Sequence, residues 1–262
     1  MKLNVVYFSP VGGSLKVANY IAEGMGFQVV YVDLTDPINR QDDLVFSSDD
    51  IVLFVFPVYA GRLVRIPRYF FKRIKGNGGC AISVVTFGNR AYDDALLELS
   101  MLVDQAGFNH LAAGAFVCEH AFDIGLATGR PDSKDVLIAK SFGQQIKKNI
   151  QANKSFENVM SSIPGVYPFK TRFRHDFSGP LVPFTSEKCI KCGKCIESCP
   201  VAAIDKKDPK TTDPKICITC FRCIRRCEYH ARKIELSDFD DHTSWLSEHY
   251  KIRKEPELFL PN

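Results

Sequence analysis

Eight of the ten cysteines in this 262-residue chain lie between Cys189 and Cys227. They form two runs of one pattern, Cys189-x2-Cys192-x2-Cys195-x3-Cys199-Pro200 and Cys217-x2-Cys220-x2-Cys223-x3-Cys227. Thiols crowded in this way serve either disulfides or metal. A disulfide framework belongs to exported chains. The N-terminus MKLNVVYFSP lacks the long apolar core and small-residue cleavage site of a secretion signal. Cys80 and Cys118 stand apart on apolar stretches and read as small core residues. The expectation is a cytoplasmic protein whose clustered thiols bind metal.

Two kinds of metal site use clustered thiols, zinc and iron–sulfur. Structural zinc joins two ligand pairs across a longer loop, and consecutive CxxC steps suit one tetrahedral ion poorly. In an iron–sulfur module, three thiolates at this spacing hold one cluster while the fourth points to the other. The predicted ligands are therefore crossed. Cys189, Cys192, Cys195 and Cys227 hold one 4Fe–4S cluster, and Cys217, Cys220, Cys223 and Cys199 hold the second. Ile190, Ile196, Ile218, Ile224, Ile204 and Ile234 supply an apolar jacket. This half resembles the bacterial two-cluster ferredoxins over about 50 residues, with Glu228 where a proline usually follows the last cysteine. Residues 185–235 carry 12 basic and seven acidic side chains, a net of +5. Lys215, Arg222, Arg225, Arg226, Arg232 and Lys233 flank the second run, where positive charge favours the more negative reduced state.

The first 150 residues alternate apolar β-branched runs with helical patterns. Strands are predicted at Leu3–Phe8, Phe27–Leu34, Ile51–Phe56, Cys80–Phe87 and Asn109–Cys118. Helices are predicted at Ser14–Met25, Ile66–Ile74, Tyr92–Ala106 and Ser133–Ile150, the last capped by Ser133. Strands this apolar are buried on both faces, as in a parallel sheet between helices. The reading is an α/β chain: a doubly wound five-stranded parallel sheet followed by a smaller α+β iron–sulfur domain. Residues 1–150 form the first domain, 151–183 a Pro-containing basic linker, 184–236 the cluster domain and 237–262 a tail. The longest apolar run, Ile51 to Ala60, contains ten residues and Pro57, short of the roughly 18 a membrane helix needs.

Ligands of doubly wound sheets sit outside the carboxyl ends of the strands. Three loops there carry chemistry. In 9–14, Ser9, Gly12, Gly13 and Ser14 offer hydroxyls and backbone N–H groups at a helix start, suited to one phosphate. The loop is neither G-x-G-x-x-G nor a P-loop, which disfavours a dinucleotide pyrophosphate. The segment Pro57-Val58-Tyr59-Ala60-Gly61 follows the third strand, and Thr86-Phe87-Gly88-Asn89 leads to Tyr92 after the fourth. Each brings a tyrosine to the carboxyl edge, and a phosphate cradle with two aromatic platforms outlines an FMN site.

Residues 1–150 resemble flavodoxins. The stretches YFSPVGGS, FPVYAGR, TFGNRAYDDAL and CEHAF…GRPD, with the double cysteine run, make nearly the whole chain similar to the fused flavodoxin–ferredoxin proteins of anaerobic bacteria and archaea. The resemblance implies that Tyr59 and Tyr92 stack on the flavin and that Ser9, Gly12, Gly13 and Ser14 bind its phosphate. Val11 stands where such loops generally have threonine, and Gly13 where the fused family often has asparagine.

Among lone residues, His120 with Glu119 sits past the fifth strand, within reach of a flavin edge. His110, His175, His230, His242 and His249 lack metal-ligand spacing and read as surface or structural. Residues 1–139 carry 12 basic and 15 acidic side chains, a net of −3, whereas 140–175 carry seven and one, a net of +6. The basic strip, with Phe156, Tyr167, Phe169 and Phe173, reads as a linker laying aromatics on its neighbours rather than as a nucleic-acid surface. Clusters carry single electrons and flavin one or two. The expected function is electron relay between two 4Fe–4S clusters and FMN, an oxidoreductase role needing redox partner proteins. The alternatives are an FMN-dependent reductase of a small organic acceptor, with 119–132 as lid, and a cluster-based redox sensor. A homodimer is expected if transfer runs between chains.

Overall fold

A computed structural model of the chain describes residues 1–122, 125–152, 159–169 and 177–261. Five parallel strands, β1 (Lys2–Tyr7), β2 (Gln28–Asp33), β3 (Ile51–Tyr59), β4 (Cys80–Phe87) and β5 (Asn109–Val117), lie in the order 2-1-3-4-5. This is the flavodoxin-like doubly wound order, with its switch point between β1 and β3. On one face Val6, Phe8, Phe54 and Phe56 pack with Leu96 and Leu99 of α3 (Ala95–Gln105). On the other, Leu3, Val5, Leu53 and Val55 pack against α1 (Gly13–Met25) and α4 (Ser133–Gln151). Those two helices touch through Gly24 and Gly143. A Cβ on Gly24 would stand 2.1 Å from the Lys140 carbonyl, and one on Gly143 2.2 Å from that of Ile21.

Several boundaries differ from expectation for local reasons. Helix α4 is capped by Asp132, not Ser133. The Asp132 carboxylate accepts from the N–H groups of Lys134 and Asp135, and Asp135 returns the bond to the Asp132 N–H. Helix α3 starts at Ala95 rather than Tyr92, because Asp93 is left-handed (φ 45°). Helix α2 (Arg65–Phe70) gives way to a 3₁₀ turn at Phe71–Arg73, and Ile74 joins a two-residue strand.

The segment expected as a tail is structural. It forms α5 (Ser237–His249) and β6 (Glu257–Phe259), which pairs antiparallel with β5 and gives the parallel core an extra edge strand. Arg62–Leu63 also pairs with the end of β3. In the cysteine module, Phe184–Thr185 pairs antiparallel with Arg232–Lys233. The two cysteine runs repeat at a 28-residue offset (189 to 217, 199 to 227). Their left-handed residues repeat too: Lys191 with Thr219, Gly193 with Phe221 and Ala202 with His230. Each run closes alike, Cys199 Sγ accepting from Ala203 N–H and Cys227 Sγ from Ala231 N–H, both at 3.3 Å. Among the described residues no helix is long and apolar enough to cross a membrane.

Candidate functional site

A cavity of about 320 Å³ opens at the carboxyl ends of β1, β3, β4 and β5, beside the switch point. Eleven of the fifteen residues expected at a flavin line it. They are Ser9, Val11, Gly13 and Ser14 from the first loop, Pro57, Val58, Tyr59 and Ala60 from the second, and Thr86, Phe87 and Gly88 from the third. The Ser14 and Thr86 hydroxyls lie 2.7 Å apart, and Ser9 Oγ accepts from Leu15 N–H at 3.0 Å. A Cβ on Gly13 would press on Cys118 at 3.1 Å. Cys118 was expected only as a core residue. It is buried but also lines the cavity, and burial pushes its thiol up to about 12, so it is neutral. His120 lines the wall as expected. Burial, with His242, Arg225 and Arg90 nearby, lowers it to about 4, leaving a neutral imidazole at pH 7.

Gly12, Gly61, Asn89 and Tyr92 do not line the cavity. Gly12 is the left-handed residue (φ 91°) that starts α1, and Gly61 backs onto Asp93. Asn89 is spent on the C-terminal segment. Its amide donates to the carbonyls of Tyr250 (2.6 Å) and Ile252 (2.9 Å) and accepts from Lys254 N–H (3.1 Å). Tyr92 is 6% exposed, packed 5.4 Å from Phe87, and donates its hydroxyl to Glu257 Oε2 at 2.6 Å. The left-handed turns at Asn89 and Asp93 send the Tyr92 ring into the core, where β6 supplies its acceptor.

The wall expected from Tyr92 comes instead from α5, through His242, Trp245 and Leu246, together with Phe122. His242 is thus a cavity residue rather than a surface one. Arg253 ties the segment beyond α5 to Asp132 (2.5 Å) and Asp135 (3.4 Å). Trp245 lies 153 positions (245 minus 92) from the residue it replaces. The only hint in the sequence was a lone tryptophan at helical spacing from His242 and His249.

The cysteine module forms the remaining wall. Ile218 and Thr219, between Cys217 and Cys220, line the cavity, and the Tyr59 phenol is raised by burial and by its neighbours Cys220 and Cys217. A second, small cavity is bordered by Cys199, Cys217, Cys220 and Cys223 together, so Cys199 sits with the other run. Burial raises Cys220 to about 12 and Cys223 to about 11, and the neighbouring thiols, Cys199 among them, add to it. Burial raises Cys217 as well, so three thiols held protonated beside Cys199 form a donor set that bound iron would ionise. In the first set burial raises Cys195, with Cys189 close by, while Cys192 is exposed. Among the described residues no three His, Cys, Asp or Glu side chains converge closely enough to hold a lone metal ion.

Arginines of the second run fasten the module to the sheet. Arg222 Nη1 donates to the Pro10 carbonyl (3.1 Å), and Arg225 donates to the His120 carbonyl (3.0 Å) and pairs with Glu119 (3.0 Å). Phe122, Phe221 and Phe239 pack between them, with the Phe122 ring tilted 4.7 Å from Phe221 and edge-on 5.2 Å from Phe239. The left-handed backbone of Phe221 (φ 61°), where the first run has glycine, turns that ring onto Phe122. The linker contributes Phe169, with Arg62 4.6 Å over its ring. Phe156, Phe173 and His175 lie outside the described residues.

A flavodoxin-like α/β unit whose ligand end is walled by a doubled four-cysteine module defines a fused flavodoxin–ferredoxin architecture. The family model of the 4Fe-4S dicluster domain matches residues 170–233. Solved structures similar to the first unit include a flavodoxin from the domain Archaea, 14% identical over 58% of this chain and 99% of that one, with a TM-score of 0.43. Rubredoxin oxygen:oxidoreductase from Desulfovibrio gigas is 18% identical over 58% of this chain and 36% of that one, with a TM-score of 0.40. The Flv1 flavodiiron core from Synechocystis sp. PCC6803 is 15% identical over 59% and 37%, with a TM-score of 0.41. No curated protein matches the chain.

Proposed function

We propose that the chain is an electron-transfer protein in which two 4Fe–4S clusters, on the crossed cysteine sets, exchange electrons with FMN held in the cavity. One observation carries this reading: the Cys217–Cys220 loop is both a ligand stretch and a wall of the cavity. The residues present suit a flavin. The cavity has the size of a cofactor site. Ser9, Gly13 and Ser14 form a one-phosphate cradle at the start of α1, and Gly88 leaves room for His120, whose ring would meet a Cβ there at 2.2 Å. Bound flavin supplies the one-to-two-electron exchange that single-electron clusters lack. The chain's own residues bind and orient it: Tyr59 and Trp245 flank the space, neutral His120 lines it without adding charge, and α5 limits water. The second cysteine set, nearest the cavity, is then the last station before the flavin and the first set, with exposed Cys192, the outer one.

The reductase alternative makes 119–132 a lid, and Glu119, His120 and Phe122 of that loop do line the cavity. Arg130, at the far end of the loop, is instead buried against Asp135 and donates to the Lys254 carbonyl at 3.0 Å. Two further measurements bear on the proposal. Anaerobically prepared protein is expected to carry about eight iron, eight labile sulfides and one FMN per chain. After dithionite reduction, electron exchange between clusters and flavin is expected to be first-order and independent of protein concentration; a rate proportional to concentration would place the working pair on different chains.

The phosphate loop carries its own prediction. Val11 lines the cavity and is 37% exposed, so Val11→Thr adds a hydroxyl without displacing core. One neutral hydrogen bond is worth about 0.5–1.5 kcal/mol, up to roughly tenfold in affinity. Flavin titration of the apoprotein should show tighter binding, and unchanged or weaker binding would count against the loop as phosphate cradle.

A further inference from the structure

Arg232 places a cation inside the cysteine module. It is 3% exposed. Nη1 donates to the Pro209 carbonyl (2.6 Å) and Thr185 Oγ1 (3.0 Å), and Nη2 to Thr212 Oγ1 (2.7 Å) and the Pro183 carbonyl (3.5 Å). Nη1 also lies 4.0 Å from Cys195 Sγ of the first set, and the guanidinium is near enough to Cys223 and Cys217 of the second to favour their thiolates. Among the described residues no carboxylate pairs with it, and Nε is buried without a partner.

An isolated buried charge is costly, and a buried guanidinium normally carries a carboxylate. Here the negative charge within reach is sulfur, from both sets. The internal repeat sharpens the point. Arg232 stands 28 residues after Ile204, the corresponding position of the first run, which is buried and apolar. The fold at this position is therefore met by an aliphatic side chain, and the second run departs from it by bringing in charge.

We propose that Arg232 is a potential-setting residue shared by both clusters, a fixed cation between the two ligand sets that raises the reduction potential of each. The inference rests on the two-cluster reading above. Reduction adds an electron to an already anionic cluster, and a nearby fixed positive charge in a poorly solvated interior stabilises the reduced form more than the oxidised one. A cation within reach of both sets draws their potentials upward together, which eases reduction of each and leaves the gap between them unchanged.

The test compares Arg232→Gln and Arg232→Lys in the full, cluster-loaded chain by redox titration followed by paramagnetic resonance, with iron and sulfide assayed on each sample. Gln keeps polar contacts and loses the charge, so both midpoint potentials should fall. Lys keeps the charge and loses the planar fork, so both should stay near wild type. Unchanged potentials in Arg232→Gln, a fall at one cluster alone, or an equal fall in Arg232→Lys would each overturn the proposal. If Arg232→Gln does not retain its iron, Arg232→Lys decides: potentials near wild type support the shared charge and lowered ones refute it. A wild-type chain with iron for fewer than two clusters would instead overturn the two-cluster reading itself.

Discussion

Cys199→Ser should remove or severely alter the second cluster while leaving the first intact, halving the iron from about eight to about four per chain. Cys199 belongs in sequence to the first run, yet it borders the same small cavity as Cys217, Cys220 and Cys223. The helical turn Lys194–Glu197 spans Cys195 and the start of the three-residue step after it, and carries the fourth thiol away from its own run. Cys227→Ser is the mirror variant and should strike the first cluster. The two differ in their effect on flavin. Losing the second cluster removes the station beside the cavity, so reduction of the flavin through the module should collapse. Losing the first should spare exchange between the remaining cluster and flavin. Paramagnetic resonance of Cys199→Ser showing loss of the first cluster alone would refute the crossing.

Trp245→Ala should weaken FMN binding strongly. Stacking of a planar heterocycle on an aromatic side chain is worth about 1–3 kcal/mol, which is roughly five- to 150-fold in dissociation constant. Trp245 is the chain's single tryptophan, so its fluorescence reports the contact directly, and flavin added to apoprotein should quench it. Tyr92→Phe is the informative control. Its ring lies in the core and its hydroxyl serves Glu257 of β6, so flavin affinity should hardly change while the edge strand loosens. Affinity unmoved in Trp245→Ala, or lowered as much by Tyr92→Phe, would return the second platform to the fourth-strand loop.

The chemistry of this protein was largely legible in the order of its residues because that chemistry is local. Cluster ligands at x2 and x3 spacing are set by one turn of backbone, so the two runs mark an iron–sulfur module without a fold. The five buried strands were equally legible, since burial on both faces leaves uninterrupted runs such as Ile51–Phe56. The first two loops of the cavity were legible because each directly follows a strand of that kind. Other features depended on partners far away in the chain. Whether Tyr92 faced the cavity or the core turned on the left-handed Asn89 and Asp93 and on an acceptor 165 positions on, Glu257. Residues 257–259 are too few to read as a strand alone, and they pair because the edge of β5 is open beside them. Trp245, His242 and the Cys217–Cys220 loop became walls of one cavity only when arginines and packed phenylalanines docked the module on the carboxyl ends of the sheet. Ligand spacing is a property of a few consecutive residues, whereas a cavity wall is a property of which surfaces meet, and only packing decides that.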